Sequence, residues 1–156
     1  MKHTLLILLV SALMGFKTVN NNNVLTKEEP IEILLFNKLN EIKCNEIGSM
    51  DDFINFLGTF YMEGKSKDQS MDIYKLKPSY NQYISIGIYT EYKGFRFESI
   101  NPVIYNYIVK NGRFKEKFTK KDFFMLVYEI GDESYLLKSS FYNGQSYYIV
   151  DTYCNK

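Results

Sequence analysis

Tyr83-Ile84-Ser85-Ile86-Gly87-Ile88-Tyr89-Thr90 decides the fold. Its isoleucines recur at every second residue, the period of a strand and not of a helix. Ile84, Ile86 and Ile88 therefore share one face, and Tyr83, Ser85, Gly87 and Tyr89 share the other. The same alternation, in a composition rich in Tyr, Ile, Val and Phe, runs from Met71 onward, so most of this half reads as sheet. Ile73–Lys77 is a short strand stopped by Pro78, and Phe95–Ile100 follows the Tyr92-Lys93-Gly94 turn. Asn143-Gly144 is a strong hairpin signal between Tyr135–Tyr142 and Ser146–Tyr153. By the same rule, Asn111-Gly112 predicts a hairpin joining Val103–Val109 to Arg113–Phe118. Thr119-Lys120-Lys121-Asp122 carries a helix-start pattern, but Phe123–Ile130 reads better as a buried strand ended by Gly131-Asp132-Glu133.

Upstream of Met71 the period is 3.6. Ile31, Leu34, Leu35, Leu39 and Ile42 form one stripe, which predicts an amphipathic helix over 29–44, opened by Thr26 and Glu29 as a capping box with Pro30 in the first turn. A second helix opens at Ser49-Met50-Asp51-Asp52. It is expected to bury Phe53, Phe56, Leu57 and Phe60 and to close at Gly64. Helices first and strands after make an α+β fold, with two N-terminal helices packed on a curved, mostly antiparallel sheet of about six or seven strands. Small cone-shaped folds such as the cystatin-like ones have a similar element order, a likeness that carries no function.

The first residues read as an address. Lys2 and His3 precede an apolar run from Leu5 to Met14 broken only by Ser11, the plan of a secretory signal peptide cleaved after Ala12 or Gly15. Lys17 ends the run well short of the roughly 20 apolar residues that a membrane span needs. Residues 1–20 are therefore expected to be signal and polar lead, 21–28 a flexible linker through the Asn20–Asn23 tract, and 29–156 a single α+β domain in a secreted or periplasmic protein. In such a compartment Cys44 and Cys154 are expected to pair.

Export removes His3, the only histidine. A domain without imidazole lacks the commonest general base and the commonest metal ligand, which excludes Ser-His-Asp, Cys-His and His-based zinc sites. The formal charge is +1 for the chain and gives no field suited to nucleic acid. No phosphate-binding or dinucleotide glycine motif and no nucleophile elbow is present, so no cofactor, metal or catalytic residue is assigned. Paired carboxylates are the one catalytic option left, among Asp51, Asp52, Glu91, Glu98, Asp132, Glu133 and Asp151. Capping explains Asp51 and Asp52, and a turn explains Asp132 and Glu133.

What remains is recognition. Tyr83, Ser85 and Tyr89 face away from the isoleucines, Tyr105 and Tyr107 are expected to do the same on a neighbouring strand, and Gly87 leaves room for close approach. A tyrosine offers a broad ring, a hydroxyl tip and few rotors, which suits a contact surface. Alternation along the next strand sets Arg113, Lys115 and Lys117 on one side, a basic row for an acidic partner, a phosphate-rich polymer or anionic envelope glycans, or else a solvated face or a guard for an edge strand. The expectation is a non-catalytic domain binding another protein, as an inhibitor or immunity-type factor. The alternatives are a glycan-acting hydrolase and a small-ligand cone with an aromatic pocket.

Overall fold

The computed structural model describes residues 29–154 except Ile47, Lys121 and Asp122. The expected signal segment, the linker and Thr26 lie outside the described residues. The chain runs α1 (Ile31–Ile42), α2 (Gly48–Leu57), β1 (Phe60–Lys65), β2 (Met71–Leu76), a 3-10 turn (Pro78–Tyr80), β3 (Ile84–Tyr89), β4 (Gly94–Ser99), α3 (Val103–Asn111), β5 (Arg113–Lys120), β6 (Phe123–Ile130), β7 (Glu133–Tyr142) and β8 (Gln145–Tyr153). The strands form one antiparallel sheet in the order β1-β2-β3-β4-β8-β7-β6-β5. Two meanders of four strands thus meet where β4 pairs with β8, Phe97 opposite Val150. The α+β class stands. The sheet has eight strands, not six or seven.

The isoleucine face of β3 lies under all three helices. Ile84, Ile86 and Ile88 are joined in the core by Phe95 and Phe97 of β4, Leu137 of β7 and Val150 of β8. On α1 the buried residues are Leu35, Phe36 and Leu39, while Leu34, expected on the stripe, is exposed. The helix is turned so that the large Phe36 ring meets Phe95, Phe97 and Tyr135 at centroid distances of 5.7, 6.1 and 5.9 Å, because an aromatic buries more surface than a leucine. Glu32 is buried with it and accepts a hydrogen bond from Asn101 Nδ2 at 3.0 Å.

Two expectations fail here, each for a physical reason. The second helix does not reach Gly64: Gly58, at φ +63°, takes the left-handed position that ends helices, and Phe60 begins β1. Its buried side is Met50, Ile54 and Leu57, with Phe56 exposed. Gly64 instead follows a register shift in β1. Asp51 does not serve the helix start alone, since its carboxylate accepts the Tyr74 hydroxyl at 2.8 Å.

The second failure concerns Val103–Val109, which is a helix and not a strand. The segment fits both periods. Helical spacing places Ile104 and Ile108 one turn apart, and both are buried in the core, whereas alternation would face Val103, Tyr105, Tyr107 and Val109 together. Pro102 sits at the N-cap, where its missing donor is no loss. Asn111-Gly112 closes this helix: Gly112 N–H donates to the Ile108 carbonyl at 2.7 Å, and Gly112 has φ −93°. Asn143 and Gly144, with φ of 49° and 76°, do form the expected hairpin.

One polar cluster closes the end of the core. Lys43 is 1 % exposed. It donates to Glu133, to Asn40 Oδ1 at 2.9 Å and to Thr152 Oγ1 at 3.2 Å, and lies over the Tyr135 ring. Beside it the Cys44–Cys154 disulfide is formed, with Cα atoms 5.1 Å apart. Cys44 reaches its partner because α1 ends at Ile42 and the chain has already turned. Among the described residues no helix is long and apolar enough to cross a membrane.

Candidate functional site

The helices pack on one side, so the opposite face of the sheet is left to its own side chains. Strand register arranges them in rows across five strands, β2, β3, β4, β8 and β7. One row is Lys75, Ser85, Glu98, Ile149 and Lys138; the next is Ile73, Gly87, Arg96, Asp151 and Leu136. Direct opposition of Arg96 and Asp151 on β4 and β8 permits a bidentate pair. Arg96 Nε donates to Asp151 Oδ1 at 2.7 Å and Nη2 to Oδ2 at 3.0 Å. The Tyr89 hydroxyl donates to the same Oδ1 at 2.7 Å and stands 3.3 Å from the Tyr153 hydroxyl. Tyr92, from the β3–β4 turn, stacks on Tyr89 at 4.5 Å and leans on Tyr153 at 5.3 Å. Gly94, opposite Tyr153, makes this possible. A Cβ there would stand 2.4 Å from the Thr152 carbonyl and 3.1 Å from the Tyr153 ring.

A second cluster adjoins it. The Tyr83 hydroxyl donates to Glu98 Oε1 at 2.8 Å, and its ring meets Tyr147 edge-on at 5.3 Å. Lys75 lies 5.9 Å above the Tyr83 ring and donates to Glu63 Oε1 at 2.5 Å. Burial holds the Tyr89 and Tyr83 hydroxyls well above the usual tyrosine range, with the Asp151 and Glu98 charges adding to it, so both remain donors. Burial works against the Arg96 charge, but the Asp151 carboxylate outweighs it and raises the guanidinium pKa. The face is thus a fixed network of rings, hydroxyls and paired charges. Asp151 is held by three hydrogen bonds, two from Arg96 and one from Tyr89.

Of the residues singled out in the sequence, Tyr83, Ser85 and Tyr89 lie on this face, but Tyr89 and Ser85 are buried within it. The space above Gly87 is taken by the Met71 side chain, whose Sδ would stand 3.0 Å from an added Cβ. Tyr105 and Tyr107 ride on α3, on the helix side. Tyr105 packs edge-on against Tyr148 at 5.5 Å, and Tyr107 is exposed. The basic row is not one row. A register shift between Phe114 and Glu116 breaks the alternation. Arg113 and Lys115 both converge on Glu129, at 2.7 and 3.1 Å, while Lys117 falls opposite Leu126 and lies over the Phe124 ring at 5.1 Å. Tyr92, Arg96, Tyr147 and Tyr153 complete the tyrosine network, and alternation alone does not find them, because it gives a strand's faces but not its neighbours.

Among the remaining carboxylates, Asp51 is raised by burial first and then, against the lowering hydrogen bond from Tyr74, by the nearby Asp72 and Asp52 charges. Among the described residues no group of three or more His, Cys, Asp or Glu side chains gathers as a metal site. No family model matches the chain, and neither the curated proteins nor the solved structures contain a significant match.

Proposed function

We propose that this chain is an exported, non-catalytic domain that binds another protein, in the manner of an inhibitor or immunity-type factor, through its helix-free sheet face and the β5 margin beside it. The observation that carries the reading is the one-sided packing of the helices, which leaves a sheet face whose tyrosines are already fixed by Arg96, Asp151 and Glu98. Side chains ordered before contact lose little freedom on binding, and tyrosine-rich surfaces suit that use. Export is supported by the Lys2 to Met14 pattern and by a disulfide that an oxidising compartment would maintain.

The test takes the domain as bait in extracytoplasmic extract, identifies the captured protein and reconstitutes the pair from purified components. Tyr61, which stands on β1 opposite the open-face Lys75, and Tyr92 are 41 % and 42 % exposed, so Tyr61→Ala and Tyr92→Ala should leave the fold intact. Each is expected to weaken the reconstituted pair at least tenfold. A pair indifferent to both substitutions and to charge reversal on β5 would refute this reading.

A further inference from the structure

The sheet has two edges, and they differ. β1 has six residues, a register shift between Met62 and Gly64, and α2 packed beside it. β5 has eight residues and is the last strand in the order. Residues 113–119 are all exposed. Its outward backbone donors and acceptors meet no other strand among the described residues, which makes a template for strand addition. Phe114, packed on Tyr128, and Phe118, opposite Met125, stand 52 % and 46 % exposed. An edge that exists only to repel would not present two phenyl rings.

Charge selects the occupant. β5 carries Arg113, Lys115, Lys117 and Lys120 against Glu116 alone. Two copies brought edge to edge would set these cations against each other, so the sequence disfavours a second copy while attracting an acidic chain. Arg113 and Lys115 are shared with Glu129, whose pKa is lowered by hydrogen bonds from Arg113 and then Lys115, but Lys117 contacts only a ring among its described partners.

Resting on the protein-binding reading above, we propose that the partner supplies an acidic, extended segment that pairs with β5 as a ninth strand. Its backbone satisfies the free edge, its apolar side chains cover Phe114 on the helix side and Phe118 on the open face, and its carboxylates meet Lys115 and Lys117. Because Arg113, Glu116 and Phe118 lie in register with the open-face residues Glu129, Val127 and Met125, the added strand widens that face.

The probe is a synthetic octapeptide, Glu-Glu-Val-Val-Glu-Glu-Thr-Thr, whose two strand faces each carry valine and glutamate, titrated into the intact protein while backbone amides are followed by NMR and hydrogen exchange. Three comparison probes are the lysine-for-glutamate peptide, an equally acidic peptide with prolines that forbid pairing, and single-stranded DNA. The expected result is at least tenfold slower exchange at alternate β5 amides with the acidic peptide alone, and at least tenfold weaker binding in Lys115→Glu/Lys117→Glu. No protection at millimolar peptide, equal effects from the proline peptide or DNA, or concentration-dependent self-association through β5 would each overturn the ninth strand. None of these outcomes touches capture sensitive to Tyr61 or Tyr92, so the two proposals fail separately.

Discussion

Replacing Cys44 and Cys154 together by alanine should cost this domain a large share of its stability, almost all of it through the unfolded chain. The disulfide spans a sequence separation of 110. For a loop of that length the chain-entropy relation gives about 4.8 kcal/mol at 25 °C, and native bridges commonly deliver about 2–4. The folded state has little to lose beyond the bond itself. Cys154 N–H still donates to the Lys93 carbonyl at 3.0 Å, Lys93 Nζ still donates to the Cys44 carbonyl at 2.9 Å, and β8 remains paired on both sides. We therefore expect a loss of about 3–5 kcal/mol, set against the roughly 5–15 kcal/mol that holds an ordinary domain together. Urea unfolding followed by far-UV circular dichroism suits a chain without tryptophan. The double variant should unfold at lower urea and with a steeper slope, because its unfolded state is more expanded. The reduced wild type should match it. A loss under about 1 kcal/mol with an unchanged slope would refute the entropic reasoning.

Lys43 and Glu133 should respond asymmetrically: Glu133→Leu strands an ammonium that is 1 % exposed and should cost about 2 kcal/mol after discounting for its partner's 36 % exposure, whereas Lys43→Met leaves a carboxylate that can hydrate and should cost about 1 or less, both read by urea midpoint. Gly94→Ala sets a Cβ 2.4 Å from the Thr152 carbonyl at φ +154° and should destabilise by about 3 kcal/mol or more, while Gly87→Ala, whose one tight neighbour is the flexible Met71 thioether at 3.0 Å, should cost about 1. Tyr89→Phe removes one donor from Asp151 and should cost about 1 kcal/mol with the far-UV spectrum unchanged. Asp68, which accepts from the Ser66 hydroxyl and then from the Ser70 hydroxyl and amide, is held at about 2, below the ordinary 3.8. A depressed folded value stabilises above the unfolded one and is lost as pH falls, so the difference between wild type and Asp68→Asn should close between about pH 4 and pH 2.

The sequence was legible where one period was unambiguous and opaque where two competed. Ile84, Ile86 and Ile88 admit only a strand, and Asn143-Gly144 lies between two runs that alternate, whereas Asn111-Gly112 follows a segment that does not decide between the periods, so β3 and the β7–β8 hairpin were readable in advance. Val103–Val109 satisfies both periods, and its helix is settled by what Ile104 and Ile108 meet in the core, a tertiary preference that local propensity does not contain. Phe60 continued the aromatic spacing of α2, but Gly58 ended the helix first. Half of the site was visible for the same reason. Tyr83 and Tyr89 follow from alternation within one strand. Arg96 and Asp151 belong together only because β4 meets β8, a pairing fixed by the whole sheet order and not by any stretch of sequence near either residue. The bulge after Phe114 likewise rephased a row of cations whose spacing looked regular.

That central seam also dictates an order of assembly. β4 ends at Ser99 and its second neighbour begins at Gln145, so during synthesis the first meander waits with Phe95 and Phe97 on a raw margin until the last strand emerges. Contacts this distant along the chain form late and slowly. Interruption before β8 would therefore yield two half-sheets with adhesive borders, and the sulfur bond, anchored one residue past β8, can lock only a domain that has already closed.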